Sequence, residues 1–375
     1  MYLLLDLQVH DKFGAGVAAL NTVRELLDRD DIDLLLAQEP KASLMAEDGS
    51  DRLASIWALS QALLNHVRQD TSLAYEVQGS VVLKATYPFV FDKVSGALRG
   101  TRKTLANYVF EQTEPPPNLR RKAAIFDTIL CASEWCRSVL AQHGVMNTAV
   151  NFQSADVSRF RPMAIKKHSP FTIFSGGKFE YRKGQDLVAE AFRRFSSRHE
   201  DVQLCLLWNN RWFDQMGNDF AKMRCASLPK RNSYTPWLVE MGIPSHQILE
   251  IHEVNNEDLP PIINRCHLGV FPSRAEGGTN ICAMETLACE VPAILSRNTG
   301  HLDLAGTGER LYLTDQAEIN GLPGWGESNV NEMVSLFEWA YENRNALETL
   351  GNQARNFMLG RTWKHHVDNL VRFAY

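Results

Sequence analysis

The sequence predicts an α/β protein of two doubly wound, Rossmann-like domains, each a parallel sheet covered by helices on both faces. Strand-like and helix-like segments alternate over residues 2–144 and again from residue 171, and such alternation is typical of parallel sheets. A chain of 375 residues is also too long for one ordinary core. Residues 160–170, rich in proline and charge, mark the expected junction. Two such domains facing each other would leave a central cleft at the carboxyl ends of their strands, where ligands bind in these folds.

The first half of the chain carries the first alternation. Short apolar runs predict strands, and longer segments with apolar residues at helical spacing predict helices. The predicted strands cover residues 2–9, 32–37, 81–85, 106–110 and 125–132, and the predicted helices cover 17–29, 55–69 and 134–143. Ser133 is placed to cap the last of these helices, and a glycine-containing loop over 11–16 precedes the first.

The second half repeats the pattern and ends in a helical tail. The predicted strands cover residues 171–175, 202–208, 249–253, 268–271 and 292–296, and the clear helices cover 185–197 and 259–266, with another opening near residue 280. We therefore expect an N-terminal domain over residues 1–162 and a C-terminal, ligand-binding domain over 163–345. The aromatic helical segment 346–375 is expected to cross back to the N-terminal domain.

Composition excludes several classes of function. Apolar residues make up 45% of the chain and charged residues 22%, as in soluble globular proteins. The net charge of −5 implies no general affinity for nucleic acid. Seven scattered cysteines without a Cys-x-x-Cys motif favour a reducing cytoplasm, and no apolar run approaches a membrane span. His10, His365 and His366 lack a credible ligand set, so no metal site is expected.

Residues 271–289 are the most informative segment. A buried strand runs into a Gly277-Gly278 turn, and Thr279 or Asn280 is suited to cap the helix that follows. That helix is apolar on nearly every side except at Glu285, and no residue three or four positions away can pair with it. Free amides at the turn, together with the helix dipole, form an anion site.

Two interpretations of Glu285 stay open from the residues alone. A carboxylate about two turns below an anion site suits a ligand with a phosphate at one end and hydroxyls at the other, as in a nucleotide sugar. The structural alternative is a buried glutamate that pairs with a distant Arg or Lys, because an unpaired buried charge is costly.

A basic turn lies between a strand and a helix earlier in the same half. Gly176 and Gly177 let the chain turn tightly and let a ligand approach the backbone. Lys178, Arg182 and Lys183 place three cations within six residues, an arrangement suited to phosphate. A solvated basic turn is the alternative interpretation.

These motifs together resemble a known family. FSGGKFEYRKGQDL at 174–187, followed by FPSRAEGGTNICAMETLACEVPAI at 271–294, is similar to the donor half of a retaining GT-B glycosyltransferase of the family 4 type, the glycosyl transferases group 1. CASEWCRSVL at 131–140, DVSRFRP at 156–162 and HDKFGAGV at 10–17 extend the resemblance upstream. The resemblance covers most of residues 1–305 and is weaker between residues 40 and 119.

The resemblance implies roles for the donor-side residues. Arg182 and Lys183, together with Lys178, would neutralise the donor diphosphate, and Glu285 would hold the ribose hydroxyls. Glu276 and the turn of Gly277, Gly278, Thr279 and Asn280 would contact the transferred sugar and the diphosphate. On the acceptor side, Gly14 and Gly16 would let the first loop approach the donor phosphate and the acceptor.

The chain departs from the family pattern at three places. Eight residues separate Glu276 from Glu285, where the family usually has seven, so either the loop is one residue longer or Gly277 fills the first position. Glu290 stands where a glycine is usual. Many members carry an N-domain histidine at the end of a central strand, and the nearest positional match here is Glu111, which we predict to be catalytic. The alternative is a strand-end glutamate that faces water or pairs with Arg120 or Arg121.

The resemblance implies transfer of a sugar from a nucleotide-diphosphate-sugar to a hydroxyl acceptor in a glycan, a lipid-linked glycan or another glycoconjugate. No cofactor or metal is expected, because cations and helix-end amides can stabilise the leaving diphosphate. We expect a cytoplasmic protein of the polysaccharide-biosynthesis type, with contact to the inner membrane face left open. The basic residues at 99–103 and 120–122 could contact a membrane surface, but we expect them to lie in solvated loops.

Three alternatives remain at this point. One is another GT-B enzyme, such as a sugar-nucleotide epimerase or a phosphorylase. The second is a non-catalytic nucleotide-sugar-binding module. A NAD-dependent dehydrogenase is disfavoured, because no Gly-x-Gly-x-x-Gly follows the first strand. The donor base, the sugar, the acceptor and the oligomeric state are not determined by the sequence.

Overall fold

The computed structural model describes residues 2–9, 14–40, 50–64, 75–86, 98–111, 113–114, 117–165, 167–225, 227–252 and 254–375. The chain divides into two compact units. The first is formed by Met1–Ser154 with Arg361–Tyr375, and the second by Ala155–Gly360.

The first unit contains a six-stranded parallel sheet. Its elements up to residue 150 are β1 (Tyr2–Asp6), α1 (Gly14–Leu27), β2 (Asp33–Leu36), α2 (Ser50–Leu64), β3 (Tyr75–Val77), β4 (Ser80–Thr86), β5 (Leu98–Gly100), β6 (Lys103–Tyr108), α3 (Leu119–Ala123), β7 (Thr128–Cys131), α4 (Glu134–Gln142) and β8 (Thr148–Val150). The strand order is β2-β1-β4-β6-β7-β8, and β3 pairs with β5 separately. The leucines at positions 3, 4 and 5 in β1 are fully buried, as expected for a strand covered on both faces.

The second unit contains another six-stranded parallel sheet. Its elements are β9 (Phe171–Lys178), α5 (Gln185–Ser196), β10 (Val202–Asn209), α6 (Gly217–Phe220), α7 (Thr235–Glu240), β11 (Ile248–Glu250), α8 (Leu259–Asn264), β12 (Leu268–Phe271), α9 (Ile281–Ala288), β13 (Ala293–Ser296), β14 (Tyr312–Leu313), β15 (Gln316–Glu318), β16 (Gly326–Ser328), α10 (Val330–Glu342) and α11 (Arg344–Leu359). The strand order is β11-β10-β9-β12-β13-β14, and β15 pairs with β16 in a small antiparallel ribbon.

The last helix, α12 (Trp363–Ala374), belongs to the first unit. It packs on α1, and Val367, Leu370 and Ala374 join the apolar cluster formed by α1 and one face of the first sheet. Its hydrophobic residues repeat at helical spacing, which explains why one face is buried. The chain therefore returns to its first unit after completing the second.

The predicted α/β class with two parallel sheets is confirmed, and Ser133 caps α4 by accepting from Cys136 N at 3.1 Å. Two local predictions were wrong. Residues 176–178 are not a turn, because β9 continues through Lys178 in register with β10. Gly14 and Gly16 lie inside α1, which begins three residues before the predicted start, whereas residues 10–13 of the predicted loop lie outside the described residues.

No helix in the described part of the chain combines the length and the apolar character that crossing a bilayer requires.

Candidate active site

The second sheet reverses its strand order between β9 and β12. The chain runs from β9 to β10 and β11 on one side, and from β12 to β13 and β14 on the other. In doubly wound sheets, ligands bind at the carboxyl ends of the strands at such a switch point. Lys178 ends β9 and Phe271 ends β12, so the basic segment and the segment leading into α9 both start at this point.

The two segments are bound together by backbone contacts. After β9 a short 3₁₀ turn, Tyr181–Lys183, leads to Gly184, which has a φ of 71°. A Cβ on Gly184 would lie 2.4 Å from the carbonyl oxygen of Pro272, so only glycine fits this close approach. Arg274 N donates to Arg182 O at 2.6 Å. The fold therefore brings together two segments that lie about ninety residues apart in the sequence.

The two glycines at the end of β9 have different reasons to be glycine. A Cβ on Gly176 would lie 2.5 Å from Cys282 Sγ, so this glycine allows α9 to pack against the strand. Gly177 has a φ of 119°, and among the described residues no atom beyond its chain neighbours lies within 4 Å of its Cβ position. Its backbone therefore faces open space at the switch point, as the predicted ligand contact requires.

Glu276 is the centre of the polar network. Its Oε2 accepts from Arg182 Nη1 at 2.8 Å. Its Oε1 accepts from Lys183 Nζ at 2.7 Å, from Ser273 Oγ at 2.6 Å and from Asn280 Nδ2 at 3.0 Å. Burial opposes ionisation, but the charges of Lys183 and Arg182 outweigh it and hold the pKa of Glu276 well below its usual range.

The carboxylate of Glu276 is therefore saturated in the described part of the chain. It accepts four hydrogen bonds, and a carboxylate has about four lone-pair sites. A sugar hydroxyl would have to replace one of these donors. The structure thus gives Glu276 a first task that the sequence did not indicate, which is to hold Arg182 and Lys183 in place.

A second carboxylate, Glu180, shares the same cations. Its Oε1 accepts from Arg182 Nη2 at 2.5 Å, and its Oε2 lies 2.6 Å from Lys178 Nζ. Burial opposes ionisation here too, but Arg182 and Lys178 keep the pKa of Glu180 low. The three cations and two carboxylates of this cluster leave a local charge of +1.

Glu285 has a very different environment. It is buried, and its Oε1 accepts from Asn256 Nδ2 at 3.3 Å. Asn256 Oδ1 in turn accepts from Arg159 Nη1 at 3.2 Å. Burial raises the pKa of Glu285 to about 8, although the Asn256 hydrogen bond opposes the shift. Among the described residues no Arg or Lys pairs directly with Glu285, so the simple structural alternative for this residue is not supported.

The turn before α9 is tightly built. Asn280 is the N-cap, with a φ of 62°, and its Oδ1 accepts from Ala283 N at 3.4 Å. Gly277, Gly278 and Thr279 are buried. A Cβ on Gly300 would lie 1.7 Å from the carbonyl oxygen of Gly278, so the segment after β13 fixes the position of the turn.

Arg274 supports the whole site and was missed by the sequence analysis. It is fully buried, and its guanidinium contacts both Asp186 oxygens at 2.8 Å and Glu327 at 2.8 Å. The Tyr181 ring centroid lies 3.9 Å from its Cζ. Arg274 lies three residues after the end of β12, between Ser273 and Ala275, so no local pattern in the sequence marked it as buried. His301, Asn256 and Glu180 were missed as well.

The remaining predicted residues lie in the first unit. Gly14 and Gly16 occupy the first turn of α1. Glu111 is half-buried and follows β6, which ends at Tyr108 and not at Phe110 as predicted. The role of each stays a prediction. Across the ranges described above, no group of three His, Cys, Asp or Glu residues is placed to hold a metal ion.

Comparisons with known proteins agree with this geometry. A family model described as glycosyl transferases group 1 matches residues 157–357, more than half of the chain. The matched span includes the basic segment and α9. No curated protein was found to match the chain.

Solved structures share the fold over nearly the full length. HepE of Anabaena in complex with UDP and glucose has a TM-score of 0.65 at 12% identity, covering 99% of this chain and 98% of its own. Sucrose-phosphate synthase from Thermosynechococcus elongatus has a TM-score of 0.64 at 14% identity, covering 99% and 97%. A glycosyltransferase from Rickettsia africae has a TM-score of 0.62 at 10% identity, covering 100% and 97%. Likeness at these identities shows the two-domain fold.

Proposed function

The chain belongs to the glycosyl transferases group 1, and from this premise we propose that it is a retaining, metal-independent enzyme. It moves a sugar from a nucleotide-diphosphate-sugar to a hydroxyl group of a glycan, a lipid-linked glycan or another glycoconjugate. The observation that carries the proposal is the joining of Lys178, Arg182 and Lys183 with the start of α9 at the switch point between β9 and β12.

The proposed nucleotide-sugar donor would bind along this edge of the sheet in one orientation. Its diphosphate would lie against the basic segment and the first amides of α9, which satisfy anions. Its ribose would reach Glu285, whose carboxyl group has hydrogen-bonding capacity beyond its contact with Asn256. Uridine diphosphate is the first nucleotide to test, because HepE was solved with UDP.

Catalysis in this proposal is electrostatic. As the bond between the sugar and the diphosphate breaks, negative charge grows on the leaving oxygen, and Arg182 and Lys183 stabilise it. That oxygen can take the proton of the acceptor hydroxyl, so no separate base is required. Glu276 holds the two cations in place. When the nucleotide sugar binds, one of its hydroxyl groups replaces one of the four groups that donate hydrogen bonds to Glu276.

Glu111 is proposed as the first unit's contribution. A carboxylate after β6 can orient the acceptor hydroxyl or stabilise positive charge on the sugar. Glu111→Gln should then lower transfer by roughly a hundredfold, the usual scale for an acid–base group, and leave donor binding nearly unchanged. Transfer at the wild-type rate would remove Glu111 from the mechanism.

The proposal also covers the location of the enzyme and the roles of its two units. We place the enzyme in the cytoplasm, with peripheral contact to the membrane if its acceptor is lipid-linked. The first unit would bind the acceptor and the second unit the donor.

A non-catalytic nucleotide-sugar-binding module is the second candidate, and the saturation of Glu276 by its own chain favours it. The discriminating experiment measures turnover and binding of one panel of nucleotide-diphosphate-sugars against simple glycoside and lipid-linked acceptors. Product with a retained anomeric configuration, read by NMR, supports the transferase. Donors that raise the thermal stability by mass action but are never consumed support the binding module. An altered sugar on intact nucleotide indicates an epimerase.

A further inference from the structure

His301 is a buried histidine that the proposed mechanism does not use. It lies in the 3₁₀ segment Thr299–Leu304 after β13 and has no exposed surface. Burial lowers its pKa to about 4, and the facing charges of Glu276, Lys183 and Arg182 partly cancel. The imidazole is therefore neutral at physiological pH, with one nitrogen that donates and one that accepts.

The neighbours of His301 decide which nitrogen carries the proton. Asn280 Nδ2 lies 3.4 Å from His301 Nε2. An amide nitrogen only donates, so Nε2 accepts. His301 Nδ1 lies 2.9 Å from Ser296 Oγ, and the Ser296 hydroxyl donates its own proton to Ser273 O at 2.7 Å. Nδ1 must therefore carry the hydrogen and donate it to Ser296.

The amide of Asn280 has a single orientation that fits all its partners. Its Oδ1 accepts from Ala283 N and caps α9, while its Nδ2 faces both His301 Nε2 and Glu276 Oε1, the latter at 3.0 Å. A flipped amide would put its oxygen against the Glu276 carboxylate. Asn280 also has a φ of 62°, a backbone conformation that persists only where the surroundings enforce it.

We propose that His301 is a positioning residue whose neutral Nδ1–H tautomer fixes the amide of Asn280, and through it Glu276 and the start of α9. This inference rests on the proposed function, because the groups held in this way are those that would face the donor. The chain of contacts runs from Ser273 through Ser296, His301 and Asn280 to Glu276. The other groups that donate hydrogen bonds to Glu276 are the two cations and the Ser273 hydroxyl.

The first test needs no substrate. Nitrogen-15 spectra of the imidazole groups, with His301 assigned from its loss in His301→Gln, should show the Nδ1–H form at every pH between 5.5 and 8. Ser296→Ala removes the acceptor of that hydrogen, so the Nε2–H form should become populated. A wild-type His301 that titrates near 6.5 or carries its hydrogen on Nε2 would overturn the proposal.

The second test connects the tautomer to the site. Ser296→Ala and His301→Gln should each weaken uridine diphosphate binding and lower kcat/KM by roughly tenfold, as expected when one buried hydrogen bond is lost. His267→Gln is the matched control. His267 is also buried, its pKa is also lowered to about 4, and it lies at the amino end of β12, away from the switch point.

The outcomes separate the two proposals. If Ser296→Ala shifts the tautomer but binds uridine diphosphate and turns over like wild type, the positioning role is wrong. If the wild-type protein shows the Nδ1–H form and binds the nucleotide but transfers no sugar, the proposed transferase fails. The binding losses in the two variants then still decide the role of His301.

Discussion

At the scale of single residues, the most specific prediction concerns Glu285. At pH 9, above the pKa of about 8 that burial gives this carboxyl group, Glu285→Gln should weaken binding of uridine diphosphate by roughly 1.5–3 kcal/mol, the usual contribution of a hydrogen bond to a charged group. Calorimetry on the folded variant measures this loss. Glu338→Gln is the control, because Glu338 pairs with Arg198 and His199 outside the site. Equal affinities in wild type and Glu285→Gln would remove Glu285 from the donor site.

The same substitution should stabilise the empty protein at alkaline pH. The pKa of Glu285 is raised to about 8 in the folded chain, against about 4.3 in an unfolded one. Between these values the folded state keeps a proton that the unfolded state has lost, so this group makes the free energy of unfolding fall as pH rises. Glu285→Gln should be more stable than wild type at pH 8.5 and close to it at pH 4.5, by urea unfolding. A less stable variant at pH 8.5 would contradict the burial argument.

Replacing Lys183 should lower both the turnover and the stability of the protein. Lys183→Met leaves the buried Glu276 with Arg182 as its one cationic partner among the described residues, which should cost roughly 1–3 kcal/mol of unfolding free energy. Turnover should fall by roughly a hundredfold, because a cation facing the leaving diphosphate is lost. Adding Glu276→Gln should recover part of the stability and none of the turnover. A double variant with wild-type kcat/KM would show that the ion pair is only structural.

The sequence identified many of these residues but not their partners. Glu285 stood out because it interrupts an apolar helix, and Arg182 and Lys183 because they follow a strand. The contacts of Glu276 with both cations join positions more than ninety residues apart, and no local pattern records such a contact. Arg274 and His301 were missed because a buried polar residue is recognised only when its surroundings are known.

At the scale of elements, α9 and the turn before it depend on Gly300. Gly300→Ala should displace the Gly277–Gly278 turn, because the new Cβ would lie 1.7 Å from Gly278 O. Donor affinity should then fall by more than tenfold while secondary structure by circular dichroism is kept. Gly217→Ala is the matched control, since in the described part of the chain no atom beyond its chain neighbours and its own helix backbone lies within 4 Å of its Cβ position. Unchanged donor affinity in Gly300→Ala would show that the turn does not form the anion site.

Element boundaries show where local patterns fail. Two adjacent glycines at 176 and 177 are typical of a turn, yet pairing with β10 extends β9 to Lys178. Strand pairing is a long-range interaction that overrides local preference. The short strands β8 and β14 lacked a sufficiently long apolar run to be predicted.

At the scale of the whole molecule, the return of the chain to its first unit should be visible in stability. Leu370→Ala should cost roughly 2–5 kcal/mol, because Leu370 is fully buried in the cluster of α1 and the first sheet. Leu359→Ala, at an exposed position near the end of α11, should change stability by no more than about 0.5 kcal/mol. Equal effects in thermal unfolding would contradict the placement of α12.

The alternation of strands and helices was sufficient to predict both parallel sheets. The site residues were predicted from their motifs, and the rule that ligands bind where the strand order reverses could be applied only to the fold. Strand order itself is not encoded locally, so the switch point between β9 and β12 became visible only in the fold.

The central claim is that a nucleoside diphosphate binds at this switch point. Amide hydrogen exchange of the full chain, with and without saturating uridine diphosphate, tests it most directly. The account predicts slowed exchange in residues 176–184 and 276–285. A polar cavity of about 530 Å³ elsewhere in the second unit, lined by residues that include Asp315, Glu327 and Asn331, provides the contrast. Protection confined to residues 315–331, or none at saturation, would contradict the claim.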